Sequence, residues 1–235
     1  MRIYAIGDLH LPGGQEKPME VFGAHWENHF EKIRADWESR VEENDVVLLP
    51  GDTSWAMSME DAKDDIARIM ALPGRKMLLR GNHDYWWSSL TRVRMLLPEG
   101  NRAIQNDAFD LGDFVVCGSR GWLLVSENAG ESQDKKVFER EKIRLELSLQ
   151  DAEKKAQGKP IVCMMHYPPF LTGEGDTDFT RLLEKYRVKL CVYGHLHSDG
   201  VKMGFNGERN GIQYRLVSCD ALDFRLLDVT DCVIE

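Results

Sequence analysis

Along the 235 residues, short apolar runs alternate with longer stretches in which apolar and charged positions mix. Runs of strand type occupy residues 2–6, 46–50, 76–80, 114–118, 161–166, 190–194, 214–218 and 224–229. Stretches of helix type occupy 19–43, 59–72, 85–97, 134–157 and 178–187. In 134–157, Phe138, Leu145, Leu149, Ala152 and Ala156 recur at steps of seven, four, three and four, which is one helical stripe. The charged remainder of that stretch reads as the solvent side of an outer helix. Strand–helix–strand alternation predicts an α/β core with parallel strands. After residue 102, strands also follow one another without room for a helix, at 108–118 and 213–229. That predicts antiparallel additions, hence a mixed sheet or two packed sheets. The sequence has no repeat and no linker, so residues 1–235 read as one domain. Gly- and Pro-bearing loops at 11–18, 168–177 and 198–211 are expected to face a substrate.

Composition narrows the function classes. Hydrophobic residues make up 43% of the chain and charged residues 29%, enough apolar material for a full core. The net charge of −9 makes nucleic acid and anionic membranes poor partners unless positive charge is local or carried by a metal. No apolar run approaches the ~20 residues of a membrane span, and the first apolar stretch is too short for a signal-peptide core. The five cysteines, at 117, 163, 191, 219 and 232, form no CxxC pair. They are expected to be reduced core thiols of a cytoplasmic protein.

The chemistry-bearing residues fall at strand ends. Asp8-Leu9-His10 follows the first run, Gly51-Asp52 the second and Gly81-Asn82-His83-Asp84 the third. His166 closes the run that begins at residue 161, and Gly194-His195-Leu196-His197 follows the next. Ligands of open α/β sheets bind outside the carboxyl ends of the strands, so these groups can converge on one edge. Glycines 7, 51, 81 and 194 immediately precede the polar groups, which allows sharp turns and close backbone approach. Asp8, Asp52 and Asn82 offer oxygen; His10, His166, His195 and His197 offer nitrogen. Seven donors are too many for one ion. A mixed N/O set without thiolate suits Mn, Fe, Zn or Ni better than Mg or Ca.

The order D-x-H, G-D, G-N-H-D, H, G-H-x-H resembles the calcineurin-like metallophosphoesterase superfamily, over residues 8–197. The resemblance implies a four-layer α/β/β/α sandwich of two mixed β-sheets flanked by helices. It implies two divalent metal ions per chain. One would be held by Asp8, His10, Asp52 and His197; the other by Asp52, Asn82, His166 and His195, with Asp52 as bridge. It further implies that His83 protonates the leaving oxygen, with Asp84 orienting its ring. The implied activity is hydrolysis of a phosphodiester or small phosphomonoester by in-line attack of a metal-bridging hydroxide.

The motifs also depart from parts of that superfamily. Phosphoprotein phosphatases carry a further Asp and Arg in the second motif, Glu at the end of the third, and His-Gly-Gly in the fourth. This chain has Gly51-Asp52-Thr53-Ser54-Trp55, Asp84 and His166-Tyr167-Pro168-Pro169. It sits nearer the broad phosphodiesterases and cyclic-nucleotide phosphodiesterases; a phosphoprotein phosphatase, a nuclease and a non-catalytic metal-binding scaffold are the alternatives. Arg80 and Arg120 are candidate contacts to a substrate phosphate. Trp55, Trp86, Trp87 and Trp122 read first as core packing and second as pocket walls. His25 and His29, four apart on an expected helix, read as a solvated face.

Overall fold

The computed structural model describes residues 1–14, 19–124 and 132–234; the second half of the 11–18 loop lies outside them. In chain order the elements are β1 (Ile3–Ala5), α1 (His29–Arg40), β2 (Val46–Leu49), α2 (Met59–Met70), β3 (Arg75–Leu78), α3 (Leu90–Leu96), β4 (Arg102–Ala103), β5 (Phe109–Asp110), β6 (Val115–Ser119), α4 (Gln133–Ala156), β7 (Ile161–Met165), α5 (Asp178–Lys185), β8 (Leu190–Tyr193), β9 (Gly207–Arg209), β10 (Ile212–Leu216) and β11 (Leu227–Asp228).

They form two mixed sheets, ordered β11-β1-β2-β3-β4 and β5-β6-β7-β8-β10-β9. The apolar alternation of the strands explains why there are two. Ile3, Ala5, Val46, Leu48, Val116, Val162, Met164 and Val192 all point into one layer between the sheets. Their neighbours Tyr4, Ile6, Val47 and Leu49 face the opposite side and pack on Ile33 and Trp37 of α1 and Ile66 and Ile69 of α2. Cys117, Cys163, Cys191 and Tyr193 face Leu145 and Leu149 of α4 and Phe179 and Leu183 of α5. Three apolar layers separate four structural ones, the expected α/β/β/α sandwich. Strands covered on both faces carry few polar positions, which is why they read as nearly continuous apolar runs.

The helices begin where capping chemistry places them. Ser58, Ser89, Ser132 and Thr177 each accept an N–H from the first turn of α2, α3, α4 and α5. The 19–43 stretch differs from expectation. Asn28 adopts a left-handed φ of 51°, so only the part from His29 onward is α-helical. His25 and His29 therefore share no helical face.

β5 and β6 pair antiparallel, as the 108–118 spacing predicts, and β9 and β11 are antiparallel edges. β10, however, lies parallel to β8. The chain from residue 194 to 211 returns to the starting end of the sheet before β10 begins, which supplies the crossover a parallel pair needs. β4 and β9 have two and three residues and carry no periodicity to read. The sheets meet at their carboxyl edge: Gly7 N–H donates to Val217 O at 2.6 Å and Cys219 N–H to Gly7 O at 3.1 Å. That seam lies beside the first motif.

Candidate metal centre

Every motif leaves the carboxyl end of a strand: Asp8 and His10 after β1, Asp52 after β2, Asn82 to Asp84 after β3, His166 after β7, and His195 and His197 after β8. The turns are made by the donors themselves. Asp8, His10, Asp52 and His195 hold left-handed φ of 57°, 46°, 52° and 73°. Such backbone costs on the order of 1–3 kcal/mol per residue and persists where surrounding bonds fix it. The preceding glycines chiefly supply space. A Cβ on Gly81 would collide with the Asp52 carboxylate, and one on Gly194 with that of Asp8. Each glycine thus admits a donor from another motif.

The seven donors converge. His10 Nε2 lies 3.3 Å from His197 Nε2, and His197 Nε2 lies 3.6 Å from Asp8 Oδ1. On the other side, Asn82 Oδ1 lies 2.5 Å from His166 Nε2 and 2.9 Å from His195 Nδ1. Asp52 Oδ2 stands between the groups, 3.9 Å from His10 Nε2 and 3.5 Å from His166 Nε2. Asp8 also comes within 3.8 Å of His166, but through Nδ1, which faces the Pro50 carbonyl at 3.1 Å. The inward nitrogen of His166 is Nε2, which leaves Asp52 Oδ2 between the His10 and His166 nitrogens, while Asp8 belongs to both clusters of candidate ligands, with His10 and His197 and with Asp52 and His166.

Burial sets the charges. Asp8, His166 and Asp52 are almost fully inaccessible. Burial works against the Asp8 carboxylate, yet His197, His166 and His10 hold its pKa below the usual range. Burial, with the nearby charges of Asp84 and Asp8, pushes Asp52 well above its ordinary value. Burial keeps His10 and His166 neutral and, with His166 alongside, takes His195 down to about 3.

These groups suit cations. A neutral His166 has one N–H but faces two oxygens, Pro50 O and Asn82 Oδ1. Whichever it serves, lone pairs confront each other on the opposite side. A cation at the Asn82 face relieves this, with Nδ1–H donating to Pro50 O and Nε2 free to ligate. The donor set is nitrogen and oxygen from two carboxylates, one amide and four imidazoles, as borderline divalent ions prefer.

The family model for calcineurin-like phosphoesterases matches residues 1–199. The chain belongs to the calcineurin-like phosphoesterase family. As a member, it is a metal-dependent phosphoesterase. Solved structures share the fold. A protein of unknown function, AQ665 from Aquifex aeolicus, is 14% identical with a TM-score of 0.52, covering 98% of this chain and 96% of its own. A phosphopantetheinyl hydrolase from Mycobacterium tuberculosis is 12% identical at 0.52, covering 97% and 95%. TT1561 of Thermus thermophilus is 16% identical at 0.51, covering 97% of each chain. No curated protein matches the sequence. No helix among the described residues is long and apolar enough to cross a membrane.

In this phosphoesterase, Asp84, expected to orient His83, has a further role. Its carboxylate accepts N–H groups from Gly81, Asp52, Thr53 and Ser54 at 2.7–3.2 Å and the Trp86 indole at 2.9 Å. A carboxylate so supplied is a clasp between the second and third motifs. His83 donates its backbone N–H to Asp52 Oδ1 at 2.8 Å, and its ring lines a cavity of about 140 Å³ over the metal groups.

Two further residues were not expected. Asp220, just beyond β10, accepts from His197 Nδ1 at 2.7 Å and from Ser198 N–H at 3.0 Å. The strand-end rule that found the other groups applies equally to it. His29 donates from Nε2 to Leu9 O at 2.9 Å, pinning the Asp8–His10 turn rather than lying on a solvated face. Among the tryptophans, Trp86 and Trp87 are core, while Trp55 and Trp26 wall the cavity. Arg80 and Arg120 line a separate pocket.

Proposed function

We propose that the chain hydrolyses a small phosphate ester, a phosphodiester or phosphomonoester, with two divalent ions bound side by side. The observation that carries this reading is Asp52 Oδ2, 3.9 Å from a nitrogen of one donor group and 3.5 Å from a nitrogen of the other. Asp8, His10, Asp52 and His197 would hold one ion; Asp52, Asn82, His166 and His195 the other. Bound there, Mn, Fe, Zn or Ni would polarise phosphoryl oxygens and bring the pKa of a water toward neutrality. His83, on the cavity wall, would return a proton to the departing alcohol oxygen. Trp26, Trp55, Phe22 and Met19 give the cavity an apolar side that suits the organic portion of the ester. The named hydrolase among the structural neighbours, at 12% identity, adds a phosphopantetheinyl ester to the substrates worth assaying.

The experiment is a metal-reconstituted panel of aryl phosphomonoesters, phosphodiesters, cyclic nucleotides and a phosphopantetheinyl ester. The expected result is hydrolysis that requires added Mn or a similar ion and ceases on chelation. Full metal loading with no hydrolysis across the panel would instead favour a metal-binding scaffold.

A further inference from the structure

Beside the metal groups, between the ends of β3 and β6, lies a pocket of about 430 Å³. Among the described residues, Arg80, Arg120, Arg140 and Arg144 line it, with a single acidic residue, Glu141. This is a strong local excess of positive charge on a chain whose net charge is −9. Glu141 is spoken for. Its Oε1 meets Arg144 at 2.8 Å, Arg120 at 3.5 Å and Arg140 at 3.7 Å, and its Oε2 accepts the Ser119 hydroxyl at 3.0 Å. Arg80 has no ion pair or hydrogen bond among the described residues, and its Nε is buried. A structural ion network pairs its buried charges, because an unpaired one is costly. Here one carboxylate serves three guanidinium groups and a fourth is left over.

We propose that this pocket is a second anion site that takes a phosphate or pyrophosphate group. Guanidinium forks match phosphate oxygens bidentately, and several around one concavity select a multiply charged anion. The volume accommodates pyrophosphate with some of its water. The site is set close to the metal groups: Arg80 precedes Asn82 by two residues, and the Arg120 carbonyl accepts the N–H groups of His166 and Tyr167 at 3.2 and 2.9 Å. The anion is therefore either a second phosphate of the substrate, which rests on the hydrolytic reading above, or a free phosphate, which does not.

The test is calorimetric titration of the full-length, chelator-treated protein with phosphate and pyrophosphate. Binding should persist without metal and weaken about tenfold in Arg80→Gln and in Arg140→Gln, the loss of one charged hydrogen bond. Arg80→Gln leaves the Glu141 ion pairs whole, so a loss there with an unchanged melting temperature is not a folding effect. No binding by the wild type, or wild-type affinity in both variants, would overturn the proposal. With metal-loaded protein, a KM rise in Arg140→Gln confined to an ester bearing a second phosphate assigns the anion to the substrate. A rate on an aryl monophosphate that responds to added phosphate in the wild type, and less in Arg140→Gln, assigns it to a free effector. If the loaded protein hydrolyses neither ester, the hydrolytic reading fails while the titration still decides the pocket.

Discussion

His195 and His197 leave β8 two residues apart, yet their environments hold one neutral and the other protonated. His195 turns into the buried group with Asn82 and His166, where burial and His166 depress it to about 3. His197 is also penalised by burial, but hydrogen bonds to Asp220 and Asp8 more than offset that and raise it to about 10. One half of the site therefore holds neutral nitrogens with lone pairs ready. The other half carries a proton where a cation would otherwise sit. Residue type is the same in both, so the difference comes from their partners: His197 hydrogen-bonds the Asp220 and Asp8 carboxylates, whereas His195 faces the Asn82 amide. It teaches that the halves should load with metal by different rules.

The largest effect should come from removing what the halves share. Asp52→Asn takes the carboxylate charge from between them and should strip both ions, with phosphoesterase activity falling below detection. Elemental analysis after dialysis reads this. Retention of one equivalent would mean that Asp8, not Asp52, is the common ligand. Asp8→Asn should empty chiefly the His10–His197 half.

His83→Ala should touch neither half. Metal content should stay nearly intact while kcat falls by about 10²–10⁴, as loss of a general acid does. The defect should be greatest for alcohols of high pKa and shrink for nitrophenolate. Metal loss, or the same defect for every leaving group, would make His83 structural or phosphate-binding instead.

Asp84→Asn should act through the backbone. An amide can accept at only one end, so N–H groups of the Asp52 turn lose their acceptor, at a cost of about 1–3 kcal/mol for each one left buried. The expected outcome is a lower melting temperature and weaker metal retention in both halves. An intact melting temperature with a purely catalytic defect would confine Asp84 to the role of orienting His83.

Much of this was legible in the sequence because the fold imposes a simple rule. Parallel strands covered on both faces are nearly continuous apolar runs, and the polar residue ending each run lies at the edge where ligands bind. That rule reaches Asp8, Asp52, Asn82, His166 and His195 directly. It reaches Asp220 too, but one strand-end acid with no second motif residue carries little weight alone. The clasp made by Asp84 could not be read, because most of its partners are backbone N–H groups of the Asp52–Ser54 turn, distant in sequence, and backbone leaves no mark on residue type. Arg80 and Arg120 of the second pocket were legible beside their motifs, but its other two arginines escaped for another reason. Arg140 and Arg144 sit in a helix full of charge, and nothing in its pattern distinguishes those that face Glu141 from those that face water.

The smallest effect, and the sharpest test of the two halves, is their pH dependence. His197 must lose its proton before Nε2 can ligate, so metal binding at its half displaces one proton. Below about pH 10, the apparent affinity of that half should rise about tenfold per pH unit. The imidazoles of the other half, His195 and His166, are already neutral and should add little dependence near pH 7. Stability of the metal-free protein should run the other way. The His197 pKa is raised on folding, so its contribution is fully present below about 6.5 and is lost as pH rises through about 10. Calorimetry of metal binding in buffers of different ionisation enthalpy counts the protons released: one from His197, and one more where Asp52, raised by burial, is still protonated. Asp220→Asn should flatten the pH slope, because the imidazole is no longer held charged. It should also lower metal affinity about 10–100-fold at high pH, where the proton no longer competes and only the lost orientation of the ring remains. An unchanged slope in Asp220→Asn would mean that Asp8 alone sets the charge of His197, and the contrast between the halves would then belong to the first motif.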